Sequence, residues 1–168
     1  VAPDGSTATH VYPYRNASGD IVATKTRTCA TKGFISGGSA SEALLFGQHE
    51  CRGNGKYITV TEGEIDALSV AEIFQRKYDV VSVRTGAQGA KKELQKQLAF
   101  LEGYDSVVLC FDQDEAGKKA VAVHIDFNST FDSLSHIYLY LVLKRAGTSA
   151  KTRQLSSHGE ENVCSYEK

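Results

Sequence analysis

Two short acidic turns are marked out by residue type and spacing: Glu62-Gly63-Glu64-Ile65-Asp66, and Asp112-Gln113-Asp114-Glu115 at the end of an apolar run. Like charges this close repel one another unless a cation offsets them. Carboxylates gathered at one point suit a hard divalent cation that prefers oxygen ligands and keeps some of its water, which means magnesium or manganese. Taken singly, each turn has an ordinary explanation. Glu64 and Asp66 read as an acidic helix start, favoured by the helix dipole, and Asp112 to Glu115 as a solvated loop rim. Metal chemistry needs the fold to bring Glu62, Asp112 and Asp114 together. Asp66 would stand four residues after Glu62 in the first helical turn, and Gly63 is expected to let the chain bend tightly between strand and helix.

The surrounding sequence predicts the elements that would do this. "KYITVT" (56–61), "DVVSV" (79–83) and "SVVLCF" (106–111) are short apolar runs with strand character. Between them, "EIDALSVAEIFQRKY" places Ile65, Leu68, Ala71 and Phe74 at helical spacing. "KKELQKQLAFLEGY" (91–104) sets Leu94, Leu98 and Leu101 on one face, with Gly103 as a stop. "EAGKKAVAVH" begins a third helix. Alternating strands and helices with near-continuous apolar strands predict an α/β fold, a parallel sheet flanked by helices. Ligands of such sheets gather at the carboxyl ends of the strands, where both acidic turns fall. Ahead of this lies "VYPYRNASGDIVATKTRT", two strands joined by a turn at Asn16–Asp20, with Lys25 and Arg27 on one face. Gly37-Gly38-Ser39 reads as a flexible loop and Leu44-Leu45-Phe46 as an apolar anchor. Tyr12 and Tyr14 are expected to pack within the hairpin rather than to stack on bases.

The chain has 168 residues with a net charge of −1, so a nucleic-acid partner would have to use local basic patches. "RTGAQGAKK" is one such patch: Arg84, Lys91 and Lys92 flank a glycine-rich helix start whose N–H groups suit a phosphate. Lys118 and Lys119 after the second acidic turn, and Lys25, Arg27 and Lys32 near the hairpin, are others; solvated surface is the competing explanation for each. Four cysteines include no C-x-x-C pair, which argues against a zinc ribbon and for a reducing compartment; Cys110 reads as core. No apolar run is long enough to span a membrane, no signal peptide opens the chain, and a cytoplasmic protein without membrane partners is expected. With no methionine and a start at Val1, the chain is expected to be a piece of something longer.

"VTEGEIDALSV" after one strand and "FDQDEAGKKAV" after a later one, together with "VYPYRNASGDIV", "LFG" and "VVSV…GA…AKK", resemble the Toprim domain shared by bacterial-type primases, topoisomerases and some nucleases. The nearer likeness is to the primase half of phage primase–helicases, over roughly residues 11 to 122. The resemblance implies a DNA primase domain making short RNA primers from ribonucleoside triphosphates on single-stranded DNA, in a phage-infected or bacterial cell. Glu62, Asp66, Asp112 and Asp114 would be catalytic; Glu62, Asp112 and Asp114 would hold two magnesium or manganese ions. Arg84, Lys91, Lys92 and Lys118 would meet nucleotide phosphates, and Lys25, Arg27 and Lys32 the template. It also implies a replicative helicase domain in the full-length protein. Residues 1–55 would form an N-terminal subdomain, 56–145 the Toprim domain and 146–168 a flexible tail. The chain departs from the family in two places. "ISGGSASE" carries no lysine, and no aspartate follows Asp132 to complete the acidic edge after the strand expected at 136–143. A Toprim nuclease and a catalytically impaired nucleic-acid-binding module are the alternatives.

Overall fold

The computed structural model describes residues 4–31 and 33–112, together with the backbone of three later strands. Strands β1 (Thr9–Arg15) and β2 (Ile21–Thr28) form the expected antiparallel hairpin. Its turn is built by Asn16, whose Oδ1 accepts the N–H groups of Ser18 at 3.0 Å and Asp20 at 2.9 Å. A third strand, β3 (Phe34–Gly38), pairs with β2 where a flexible loop was expected at Gly37-Gly38. The reason lies in Gly38. Its φ is +89°, and a Cβ there would stand 2.3 Å from the Val22 carbonyl oxygen, so only glycine lets the strand finish this close to its neighbour.

One face of this three-stranded sheet buries Tyr12, Tyr14 and Ala23. Both tyrosine rings meet Phe46 edge-on with centroids 5.8 Å apart, so they pack as expected. The chain around Phe46 fastens this sheet to the rest of the molecule. Phe46 exchanges backbone hydrogen bonds with Ser82, and Leu45 enters the main core.

The main sheet is built on β4 (Gly55–Thr61), β5 (Asp79–Ser82), β6 (Tyr104–Asp112) and β7 (His136–Val142), in the order β5-β4-β6-β7 and all parallel. Helix α1 (Glu64–Ile73) joins β4 to β5; α2 (Ala87–Lys96) and the short α3 (Leu98–Leu101) join β5 to β6. These crossovers run in opposite directions along the sheet, and right-handed connections put them on opposite faces. The core lies under α2, where Ala87, Ala90 and Leu94 cover Ile58, Val60, Val81, Val107 and Leu109. Burying each large aliphatic side chain there stabilises the fold by about 1.5–3 kcal/mol.

Three expectations are revised. Helix α1 turns Ile65 and Leu68 outward, 37% and 50% exposed, and buries Glu64 and Ala67 instead. A small residue lets the helix approach the strand ends closely, which a larger side chain would prevent. The second helix starts at Ala87 rather than Lys91 and is interrupted at Gln97. Within the segment expected to be a tail, β8 (Thr152–Leu155) and β9 (Glu161–Cys164) extend the sheet antiparallel from β7. An open strand edge is satisfied by any extended backbone, so this pairing needs no apolar pattern in the sequence. The helix expected from "EAGKKAVAVH" lies outside the described residues.

Candidate functional site

Strands β4 and β6 are adjacent and parallel, with Thr61 opposite Cys110, so Glu62 and Asp112 stand at the same end of the sheet. Glu62 follows β4 immediately, and its Oε2 accepts the backbone N–H of Asp112, the last residue of β6, at 3.2 Å. The Glu62 carboxylate is therefore held at the root of the Asp112 side chain. Asp66 folds back over the first turn: a Cβ added to Gly63 would sit 2.8 Å from Asp66 Oδ2. Gly63 itself is extended, with φ −124°, so it contributes an absent side chain rather than the tight bend expected of it. The Cys110 thiol is pushed up to about 11, by burial first and then by the charges of Asp66 and Asp112, which places both carboxylates near one β6 side chain. Cys110 is half-buried beside these acids and stands apart from the main core. A third turn closes in at Gly86, φ +68°, where a Cβ would lie 3.7 Å from Glu62 Oε1.

The donors gathered here are all carboxylate oxygens, which fits a hard divalent cation and not a soft one. Among the described residues no three of His, Cys, Asp and Glu are arranged to hold a metal ion. Asp114, the remaining acid of the expected set, lies outside the described residues, as do Lys118 and Lys32.

Glu64 was read from the sequence only as part of an acidic helix start. In the fold it is 3% exposed; the Tyr14 hydroxyl donates to it and the Lys25 ammonium pairs with it at 2.8 Å. Burial first, and then the bond to Glu64, drives the Tyr14 phenol far above its ordinary range. Lys25 also donates to the Arg84 carbonyl at 3.0 Å. Register places Arg27 and Phe34 beyond Lys25 on the same face. The Phe34 ring is 53% exposed, with the Lys25 ammonium 4.8 Å and the Arg27 guanidinium 5.6 Å from its centre. Sequence reasoning did not single out Phe34; an aromatic residue at the head of a short segment ending in Ser36-Gly37-Gly38 was the available signal.

At the glycine-rich turn, Glu93 accepts the N–H groups of Arg84 at 2.7 Å and Thr85 at 3.1 Å, and the Thr85 hydroxyl at 2.6 Å. An internal carboxylate thus already faces two donors of the anticipated phosphate nest. The Arg84 guanidinium donates to the Ala40 carbonyl at 2.7 Å and stands 3.7 Å from Glu93. Lys91 and Lys92 are exposed on α2.

A Toprim-like family profile matches residues 59–138. The chain is 44% identical over 111 residues to the DNA helicase/primase of enterobacteria phage T3, an alignment covering 66% of this chain but 19% of that protein. It resembles the crystal structure of the primase fragment of the bacteriophage T7 primase-helicase protein, at 44% identity and a TM-score of 0.63, covering 68% of this chain and 47% of that one. A second structure is of the T7 lagging-strand DNA polymerase interacting with primase domains of two gp4 subunits bound to an RNA/DNA hybrid and dTTP. There the match is 37% identical with a TM-score of 0.67, over 83% of this chain and 68% of that one. A DNA primase domain from Pseudomonas aeruginosa, at 18% identity and a TM-score of 0.57, shares the fold alone. The chain therefore spans less than a fifth of the phage T3 protein and under half of the T7 fragment.

Proposed function

The chain belongs to the Toprim-domain primases, the family of the primase half of phage primase–helicases, and from that premise we propose that it synthesises short RNA primers on single-stranded DNA in a metal-dependent reaction. The observation that carries this reading is the meeting of Glu62 with Asp112 at the shared end of β4 and β6. Glu62, Asp112 and Asp114 are the residues proposed to hold two magnesium or manganese ions. Such ions, when bound, lower the pKa of an attacking 3′-hydroxyl and neutralise charge on the departing pyrophosphate. The Asp112 N–H orients the Glu62 carboxylate, and Asp66 adds negative charge from behind the turn. The chain's own contribution is positioning and electrostatics.

Arg27 and the exposed Phe34 ring support a template contact on the site-facing side of the small sheet, one with phosphate and the other by stacking. Arg84, Lys91, Lys92 and Lys118 remain the proposed nucleotide contacts and Lys32 a proposed template contact. Ribonucleoside triphosphates, a replicative helicase domain in the full-length protein and action in the cytoplasm of a bacterial or phage-infected cell complete the proposal.

The decisive experiment incubates the chain with magnesium or manganese, ribonucleotides and single-stranded DNA, and resolves the products by length. Primers are expected, with Glu62→Gln and Asp112→Asn each reducing their formation by about 10²-fold or more. Metal-dependent DNA cleavage without nucleotides would support a Toprim nuclease instead. One observation favours the reading as an impaired binding module: Val142, the end of β7, lies opposite Asp112, and Leu143-Lys144-Arg145 follows it, with no carboxylate. Metal and template binding without any primer would establish that reading.

A further inference from the structure

Glu64 ties together three parts of the molecule that the sequence keeps far apart. It is the first residue of α1, two positions after Glu62. Its carboxylate accepts from Tyr14 on β1 and pairs with Lys25 on β2, while Lys25 reaches on to the Arg84 carbonyl in the turn after β5. A buried ion pair adds little net stability, yet it fixes geometry, because breaking one partner strands the other. The small sheet is otherwise held through the segment Leu44–Phe46, where Leu44 bonds Arg15 of β1 while Leu45 enters the core and Phe46 bonds Ser82, and through Arg84, whose guanidinium reaches Ala40 and lies over Tyr14. The anchor is apolar, whereas the bonds of Glu64 are directional and join the small sheet to the start of α1.

We propose that Glu64 is a positioning residue that, through Tyr14 and Lys25, holds the Arg27–Phe34 wall at a fixed distance from Glu62, and that Lys25 serves this link rather than the template. The catalytic consequence rests on the primase reading; the link itself does not. A displacement of about 1 Å between bound template and reacting groups is enough to cost about 10²-fold in rate.

Two measurements on the full chain test this, with Glu64→Gln, Lys25→Met, the double variant and Lys25→Arg. In amide hydrogen exchange, Glu64→Gln and the double variant are expected to speed exchange in β1–β3 by about tenfold, with β4 and β6 unchanged. No change, or a uniform change across both sheets, overturns the link. In primer synthesis, both neutral single variants are expected to lower kcat by about 10- to 100-fold with the nucleotide KM little altered. The double variant should regain the melting temperature without regaining turnover, and Lys25→Arg should retain most of both. Turnover that simply follows melting temperature overturns the positioning role. So does weaker single-strand binding in Lys25→Met when Glu64→Gln leaves binding and turnover intact. If the wild type makes no primer, the primase reading fails, and hydrogen exchange alone still decides the link.

Discussion

Cys51 lies against Gly47 and Val80 at the opposite end of the sheet from the acidic turns, and its thiol is pushed up to about 12, by burial first and then by the charge of Asp79. In the unfolded chain the same thiol titrates near 9.0. Because the folded value is the higher one, the stability that the neutral thiol contributes is complete below about pH 9 and is lost as pH rises toward about 12. The expected loss is below the ~1.4 kcal/mol per pH unit of a fully buried group, since solvent still reaches part of the site. Urea midpoints taken between about pH 8 and about pH 11 should fall for the wild type and fall less for Cys51→Ala. An identical slope in the two proteins would remove burial of this thiol as a cause. Glu62 and Glu64 show how finely position matters at this scale. Two residues apart, one faces Asp112 and the other the small sheet.

Among the elements, β3 depends most on one residue. Gly38→Ala combines a left-handed backbone with a Cβ driven against Val22, so a loss of about 1–3 kcal/mol in unfolding free energy is expected, with exchange faster in β3 than in β4. Helix α2 depends instead on its apolar contacts. Leu94, 2% exposed, should cost about 2–5 kcal/mol when cut to alanine, and a thermal melt would show it. Helix α1 carries the opposite lesson. Its apolar residues recur at helical spacing, so the helix itself was legible, but the spacing did not show which face would be buried. Ala67 lies inward, and Ile65 and Leu68 lie outward.

For the whole molecule, a net charge of −1 means that the proposed template binding depends on where positive charge is placed, not on how much there is. Arg27 on the site-facing side of the small sheet is such a place. Single-strand affinity should weaken with added salt, and Arg27→Gln should make the log–log slope shallower by about 0.7, the value for one phosphate contact on a single strand. Fluorescence anisotropy at several salt concentrations measures it; an unchanged slope would place the phosphate contact elsewhere.

The parallel strands and the place of Glu62 and Asp112 at their carboxyl ends could be read in advance, because strand and helix periods and turn residues are local properties of the chain. The family could be read for the same reason: its motifs are short and contiguous. Register and packing could not. That Glu62 meets the backbone of Asp112, that Glu64 is buried between a tyrosine and a lysine about forty to fifty positions earlier, and that Glu93 fills part of an anion nest are contacts between distant segments. They depend on which strands lie side by side and how closely one sheet docks on the other, and only the folded chain decides that.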